Sequence, residues 1–199
     1  MKRYGIMGGT FDPVHLGHLM VAEYVKEEMN LDEIIFVPTG NPPHKDNVTS
    51  ALDRYNMVKL SIKDNETFRI TDIETKRTGN SYSIDTIKEL KKMERAEYYF
   101  IIGSDTLFLL DTWKNPHEIA KEIEYICALR PDYTQEDKIN DKILSLREKF
   151  GMEVHLVKTP LYDISSTNVR KALREGRSLK YILNDKVIQY IQENHLYGR

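Results

Sequence analysis

The sequence predicts a doubly wound α/β fold: a mainly parallel sheet with helices on both faces and a small helical cap at the C-terminal end. Two observations carry that expectation. Short apolar runs alternate with amphipathic stretches through most of the chain, and repeated strand–helix–strand order closes as parallel strands joined by right-handed crossovers. The order changes only near the end, where two helical segments follow the last apolar run and no strand follows them.

The apolar runs predict strands over residues 3–7, 33–37, 68–73, 98–102, 125–129 and 153–157. Between them the pattern predicts helices over 16–29, 51–62, 84–94, 116–122 and 136–150. In the first helix Leu16, Leu19, Met20, Tyr24 and Val25 fall on one side, and Glu23, Lys26 and Glu27 on the other. Residues 39–50, with their prolines and asparagines, read as a loop, as do 130–135. Helices over 167–174 and 186–194 make the cap, about 166–197. With no internal repeat, low-complexity tract or linker, residues 1–199 are expected to form one domain.

Composition narrows the class. The chain is 40% hydrophobic, 30% charged and 10% aromatic, enough apolar material for a core. Its 29 basic and 31 acidic residues leave a net charge of −2, which argues against a dedicated nucleic-acid binder while allowing a local basic pocket for phosphates. The one cysteine, Cys127, lies in an apolar run and reads as a small buried hydrophobe, so neither an intrachain disulfide nor a cysteine-based zinc site is expected. No apolar stretch approaches the ~20 residues of a membrane helix, and no signal-peptide core follows Met1. A cytoplasmic protein without a membrane partner is expected.

Open sheets of this type bind ligands outside the carboxyl ends of their strands. The first strand leads into Gly8-Gly9-Thr10-Phe11-Asp12-Pro13-Val14-His15-Leu16-Gly17-His18, directly before a helix. Two glycines let the backbone bend and approach a ligand, and a helix N-terminus suits an anionic phosphate. His15 and His18 are one turn apart, so both imidazoles can face one spot and donate to phosphate oxygens. Dinucleotide-binding G-x-G-x-x-G and the phosphate loop ending in Gly-Lys-Ser/Thr are both absent. A metal pair or two capping histidines are the competing readings of these residues. Far along the chain, Ile164-Ser165-Ser166-Thr167-Asn168-Val169-Arg170 places hydroxyls at a helix start and a guanidinium one turn in. That is ordinary capping, or an oligophosphate cradle.

The two strings together resemble the nucleotidylyltransferase superfamily. The first is similar to its G-G-T-F-D-P-x-H-x-G-H signature, whose H-x-G-H element class I aminoacyl-tRNA synthetases share. The second is similar to its I-S-S-T-x-x-R signature. Histidine at position 15 resembles the nicotinate mononucleotide adenylyltransferases, where phosphopantetheine adenylyltransferases usually carry threonine. Asn41-Pro42-Pro43-His44-Lys45, Ser81-Tyr82-Ser83-Ile84-Asp85-Thr86, Gly103-Ser104-Asp105, Trp113-Lys114 and the closing helix extend the likeness from Lys2 to Tyr197. Ser83, where threonine is common, and Ser104, often alanine, are minor departures.

The resemblance implies a Rossmann-like sheet and the transfer of AMP from ATP to nicotinate mononucleotide by direct in-line attack. It implies ATP contacts at Gly8, Gly9, Thr10, Phe11, His15, His18, Gly103, Asp105, Ile164, Ser165, Ser166, Thr167 and Arg170. Acceptor contacts would come from Thr10, His44, Lys45, Ser83, Trp113 and Lys114, and catalysis from His18, His15, Lys45 and Arg170. From its residue type alone, Trp113 fits a core position as well as a pyridine-stacking one. Mg²⁺ is expected on the triphosphate, held mostly by phosphate oxygens and water and by no protein side chain. ATP and nicotinate mononucleotide are the expected partners, nucleic acid is not, and the sequence leaves a homo-oligomer open.

Overall fold

The computed structural model describes residues 1–42, 47–129, 136–160 and 163–198. Six strands form one sheet: β1 (Arg3–Gly9), β2 (Glu33–Pro38), β3 (Phe68–Ile70), β4 (Glu97–Gly103), β5 (Glu124–Leu129) and β6 (Val154–Lys158). Their order is β3-β2-β1-β4-β5-β6, and all five pairings are parallel. The winding direction reverses between β1 and β4, which makes the space beyond their carboxyl ends the switch point where such sheets bind ligands.

Side chains alternate across this sheet, as strands buried on both faces require. In β2, Ile34 and Phe36 join one hydrophobic layer while Ile35 and Val37 join the other. In β5, Ile126 and Ala128 face the first layer, and Tyr125, Cys127 and Leu129 the second. Helices α1 (Leu16–Glu28) and α2 (Ala51–Ile62) contribute to the first layer. Helices α3 (Ser83–Met93), α4 (Ser104–Leu107), α5 (Pro116–Glu122) and α6 (Glu136–Phe150) contribute to the second. The C-terminal helices α7 (Ser166–Arg174) and α8 (Asp185–Glu193) bury Val169, Leu173, Val187 and Ile191 in the first layer. Among the described residues no helix is long and apolar enough to cross a membrane.

Several boundaries differ from the pattern in the sequence. β1 continues through Gly8 and Gly9, which pair with Val37 and Pro38, so the glycines are extended strand rather than turn. Their missing side chains matter for packing: a Cβ would meet the Phe100 ring at 3.0 Å from Gly8 and the Phe11 ring at 3.0 Å from Gly9. β3 stops at Ile70, because a turn at 72–77 follows, with the amides of Lys76 and Arg77 bonded to the carbonyls of Asp72 and Glu74. In α1, Met20 is exposed and the buried residues are Gly17, Ala22 and Val25. Lys26 is largely covered, with its ammonium on Glu23 at 2.5 Å and on the Thr67 hydroxyl at 3.1 Å. The first turn of α1 faces the cleft instead of the core, which breaks the simple two-sided pattern. Helix α4 and the 3₁₀ turn Leu110–Thr112 are too short to show a period, yet they bury Leu107 and Leu110.

Cys127 sits in β5 with no exposed surface, and burial pushes its thiol up to about 12. It is expected to stay unmodified by an aromatic disulfide reagent at pH 8 in the native protein and to react in denaturant. Stoichiometric labelling without denaturant would contradict this packing.

Candidate active site

A cleft of about 690 Å³ opens at the carboxyl ends of β1 and β4. Gly8, Gly9 and Thr10 form its floor, with His15, Gly17 and His18 from the start of α1. Gly103 and Asp105 line it from the β4 end, Ile164, Ser165 and Ser166 from the start of α7. A second hollow of about 410 Å³ shares Thr10, His18 and Ser166 with it and adds Asp12, Thr167 and Arg170. His18 and Arg170 therefore border the same hollow, although a long stretch of chain separates them.

Specific bonds hold these two segments together. Ser166 Oγ donates to the Pro13 carbonyl at 2.9 Å, and Arg170 Nη1 donates to the Asp12 carbonyl at 2.7 Å. Arg170 Nη2 also donates to Thr167 Oγ1 at 3.3 Å, so the helix start and the β1–α1 loop form one rigid wall. The Tyr197 hydroxyl donates to the Asp12 carboxylate at 2.6 Å. Burial, and then Asp12 itself, raise the pKa of that hydroxyl and keep it a donor. Ser165 caps α7 by accepting from the Asn168 N–H at 3.2 Å. The Ser165 hydroxyl thus performs the capping that the sequence allowed.

The histidine pair is closer than one helical turn requires. The His15 and His18 rings stack with centroids 3.7 Å apart and planes at 22°. His18 Nδ1 accepts the His15 N–H at 3.2 Å. In a neutral imidazole the proton is then on Nε2, which makes that nitrogen a donor. Phe11 supports the pair from below: its ring meets His18 edge-on at 5.1 Å. Phe11 is 3% exposed and adopts φ 50°, a left-handed conformation that costs a non-glycine residue about 1–2 kcal/mol. Its side chain acts mainly as the packing beneath His18, beside the lining it gives the second hollow. Gly17 is required by His15, whose ring would lie 3.1 Å from an added Cβ. Gly17→Ala is expected to displace that ring and lower kcat about tenfold or more, with little change in melting temperature. A variant with wild-type kcat would show that the ring's place is immaterial.

The other half of the cleft is lined by Thr39, Glu74, Ser81, Ser83, Phe100 and Trp113. Trp113 is half-buried, edge-on to Phe100 at 5.6 Å and to Tyr125 at 6.3 Å, so it belongs to the core and to the cleft at once. The Lys114 ammonium lies 4.0 Å from the centroid of the Tyr82 ring, a contact that ties the segment after the 3₁₀ turn to the start of α3. His44 and Lys45 lie outside the described residues. Among the described residues no cluster of three or more histidine, cysteine, aspartate or glutamate side chains could hold a metal ion.

Two residues at this site were not apparent from sequence. Glu74 is 7% exposed; burial holds its carboxyl above the ordinary value, against the pull of the Thr86 hydroxyl at 2.7 Å and the Arg77 charge. Arg54 is 1% exposed and, among the described residues, bonds only main-chain carbonyls. Its one signal in the sequence is a charge at i−3 and i−4 from Met57 and Val58, on the face that enters the core.

Comparison with known proteins identifies the family. The cytidylyltransferase-like family model matches residues 6–172. The probable nicotinate-nucleotide adenylyltransferase of Thermoanaerobacter sp. is 43% identical over 201 residues, covering 99% of this chain and 95% of its own. That of Desulfitobacterium hafniense is 42% identical over 199 residues, covering 98% and 96%. The fold is shared with the Plasmodium falciparum nicotinic acid mononucleotide adenylyltransferase complexed with NaAD, at a TM-score of 0.81 and 24% identity over 99% of this chain and 98% of that one. The chain belongs to the cytidylyltransferase-like family and, within it, to the nicotinate-nucleotide adenylyltransferases.

Proposed function

We propose that this protein transfers AMP from ATP to nicotinate mononucleotide, giving nicotinate adenine dinucleotide and pyrophosphate in the synthesis of NAD. One observation carries the reading: the histidine turn and the hydroxyl–arginine helix start border one depression, with His18 and Ser166 common to both hollows. The names of its close relatives support the choice of acceptor.

In this reading an oxygen of the acceptor's phosphate attacks the α-phosphorus of ATP. As that P–O bond forms, the bond to the β-phosphate oxygen breaks, and pyrophosphate leaves with the electron pair. No side chain becomes covalently bound, so positioning and charge stabilisation supply the rate. His18 Nε2–H donates to the α-phosphate oxygens, with His15 stacked behind it, and Thr10 orients the attacking phosphate. Arg170, Thr167 and Lys45 hold the charge that grows on pyrophosphate, and Ser166, whose hydroxyl proton is taken by the Pro13 carbonyl, contributes its main-chain N–H. Gly8 and Gly9, whose missing side chains make room for the Phe100 and Phe11 rings, line the nucleotide floor, and Gly103, where an added Cβ would meet nothing within 4 Å, gives the backbone close approach on the β4 side. Asp105 accepts from ribose hydroxyls, while Ile164 and Ser165 bound the nucleotide side of the cleft. Trp113 stacks on the pyridine ring, whose carboxylate takes main-chain N–H groups near Ser83 and Lys114; His44 lies beside the transferred phosphates. Mg²⁺ enters with ATP as part of the substrate and neutralises phosphate charge; the basic and hydroxyl groups of the second hollow suit a metal carried by phosphates.

Every group named is on one chain, so a homo-oligomer is compatible with this chemistry and not required by it. Such phosphorylated substrates support a cytoplasmic location. The test is pyrophosphate release with ATP, Mg²⁺ and nicotinate mononucleotide, nicotinamide mononucleotide or phosphopantetheine in parallel. Release is expected to be fastest with nicotinate mononucleotide, and a preference for either other acceptor would overturn the assignment.

A further inference from the structure

We propose that Arg54, Gly40 and Glu74 form a buried bracket that fixes the spacing between the two halves of the cleft, with Arg54 as a positioning residue for the transfer. The proposal rests on the reading above. Arg54 sits in the first turn of α2, and its three donors reach three main-chain carbonyls. Nε bonds Thr49, Nη1 bonds Thr10 and Nη2 bonds Gly40, each at 2.8 Å. Thr10 lines both hollows, and Gly40 begins the loop that runs on to His44 and Lys45. One side chain thus ties the nucleotide floor to the acceptor loop.

The far side of Gly40 completes the bracket. A Cβ added there would lie 2.0 Å from the Glu74 carbonyl oxygen, so two backbones touch at this point and only glycine permits it. The Glu74 carboxylate then accepts from the Thr86 hydroxyl at 2.7 Å. Thr86 is in the first turn of α3, whose leading residue Ser83 lines the acceptor half. The path from Thr10 to Gly40, Glu74 and Ser83 runs through the buried side chains of Arg54, Glu74 and Thr86.

Burying a guanidinium costs several kcal/mol before its bonds form, and an apolar residue could fill a core position without that cost. Arg54 also makes no ion pair among the described residues, so what it contributes is the planar fork aimed at fixed carbonyls. In-line displacement responds to errors of about 1 Å in the reacting atoms with losses near 10²-fold. Holding two loops at a set spacing is therefore a kinetic function.

Arg54→Lys keeps the charge and most of the volume but cannot reach all three carbonyls. We expect kcat to fall about 10²-fold and KM for the acceptor to rise, while the dissociation constant of ATP, by calorimetry, stays within about threefold. Gly40→Ala leaves Arg54 in place and pushes the loops apart, and it should give the same split. Hydrogen exchange read by mass spectrometry should quicken together around Thr10 and Gly40 in both variants, with the sheet still protected. A kcat loss that merely tracks the folded fraction, or unchanged kinetics in either folded variant, overturns the bracket. Should the wild-type chain release no pyrophosphate, the functional reading fails by itself. The bracket is then decided by exchange: unchanged protection at both segments refutes it.

Discussion

Replacing His18 with alanine is expected to lower kcat by about 10²–10³ while the dissociation constant of ATP changes by less than about threefold. The argument is geometric. His18 Nδ1 accepts the His15 N–H, so in a neutral ring the proton is on Nε2, and His18 lines the cleft. Phe11 and His15 hold the ring from two sides, so no reorganisation is needed as charge builds on the α-phosphate. An interaction made mainly in the transition state appears in kcat and little in ground-state affinity. His18→Gln, which keeps an N–H donor on a less constrained side chain, should recover part of the loss. Steady-state kinetics paired with ATP calorimetry decides the matter. Loss of affinity equal to the loss in kcat would make His18 a simple binding residue.

Arg170→Ala should produce a different signature of similar size. We expect kcat/KM for ATP to fall about 10²–10³, with much of the change in KM. Two contributions combine: a cation is withdrawn from the triphosphate site, and the Asp12 carbonyl loses its bond at 2.7 Å. Hydrogen bonds to charged groups contribute about 1.5–3 kcal/mol, so these two terms reach that range. Arg170→Lys should fall between, because an ammonium restores charge without the fork that serves Asp12 and Thr167 together. Product inhibition gives the sharper measurement. Pyrophosphate should inhibit Arg170→Ala far less than wild type, and equal inhibition would remove Arg170 from the leaving-group site.

The sequence shows some of this plainly and hides the rest for physical reasons. Six apolar runs announce six strands because a sheet covered on both faces needs them. Their ends are less visible: Gly8 and Gly9 carry turn chemistry yet complete β1, since Phe100 and Phe11 occupy the space their side chains would fill. Met20 fits an apolar stripe yet is exposed, while Gly17 and His18 from the start of α1 line the cleft. His15, His18, Ser166 and Arg170 could be found because each lies in a short string whose spacing has a local meaning. Arg54 and Glu74 could not, because their partners are distant main-chain groups and no local periodicity encodes such contacts. The bond from Tyr197 to Asp12, 185 residues apart, is hidden for the same reason.

The links from Ser166 to Pro13 and from Arg170 to Asp12 also constrain the order in which the enzyme matures on the ribosome. Synthesis delivers all six strands before α7 emerges, so the nascent sheet carries its glycine floor and histidine pair with one wall missing. The wall that α7 supplies can close only after the segment beyond β6 has been synthesised.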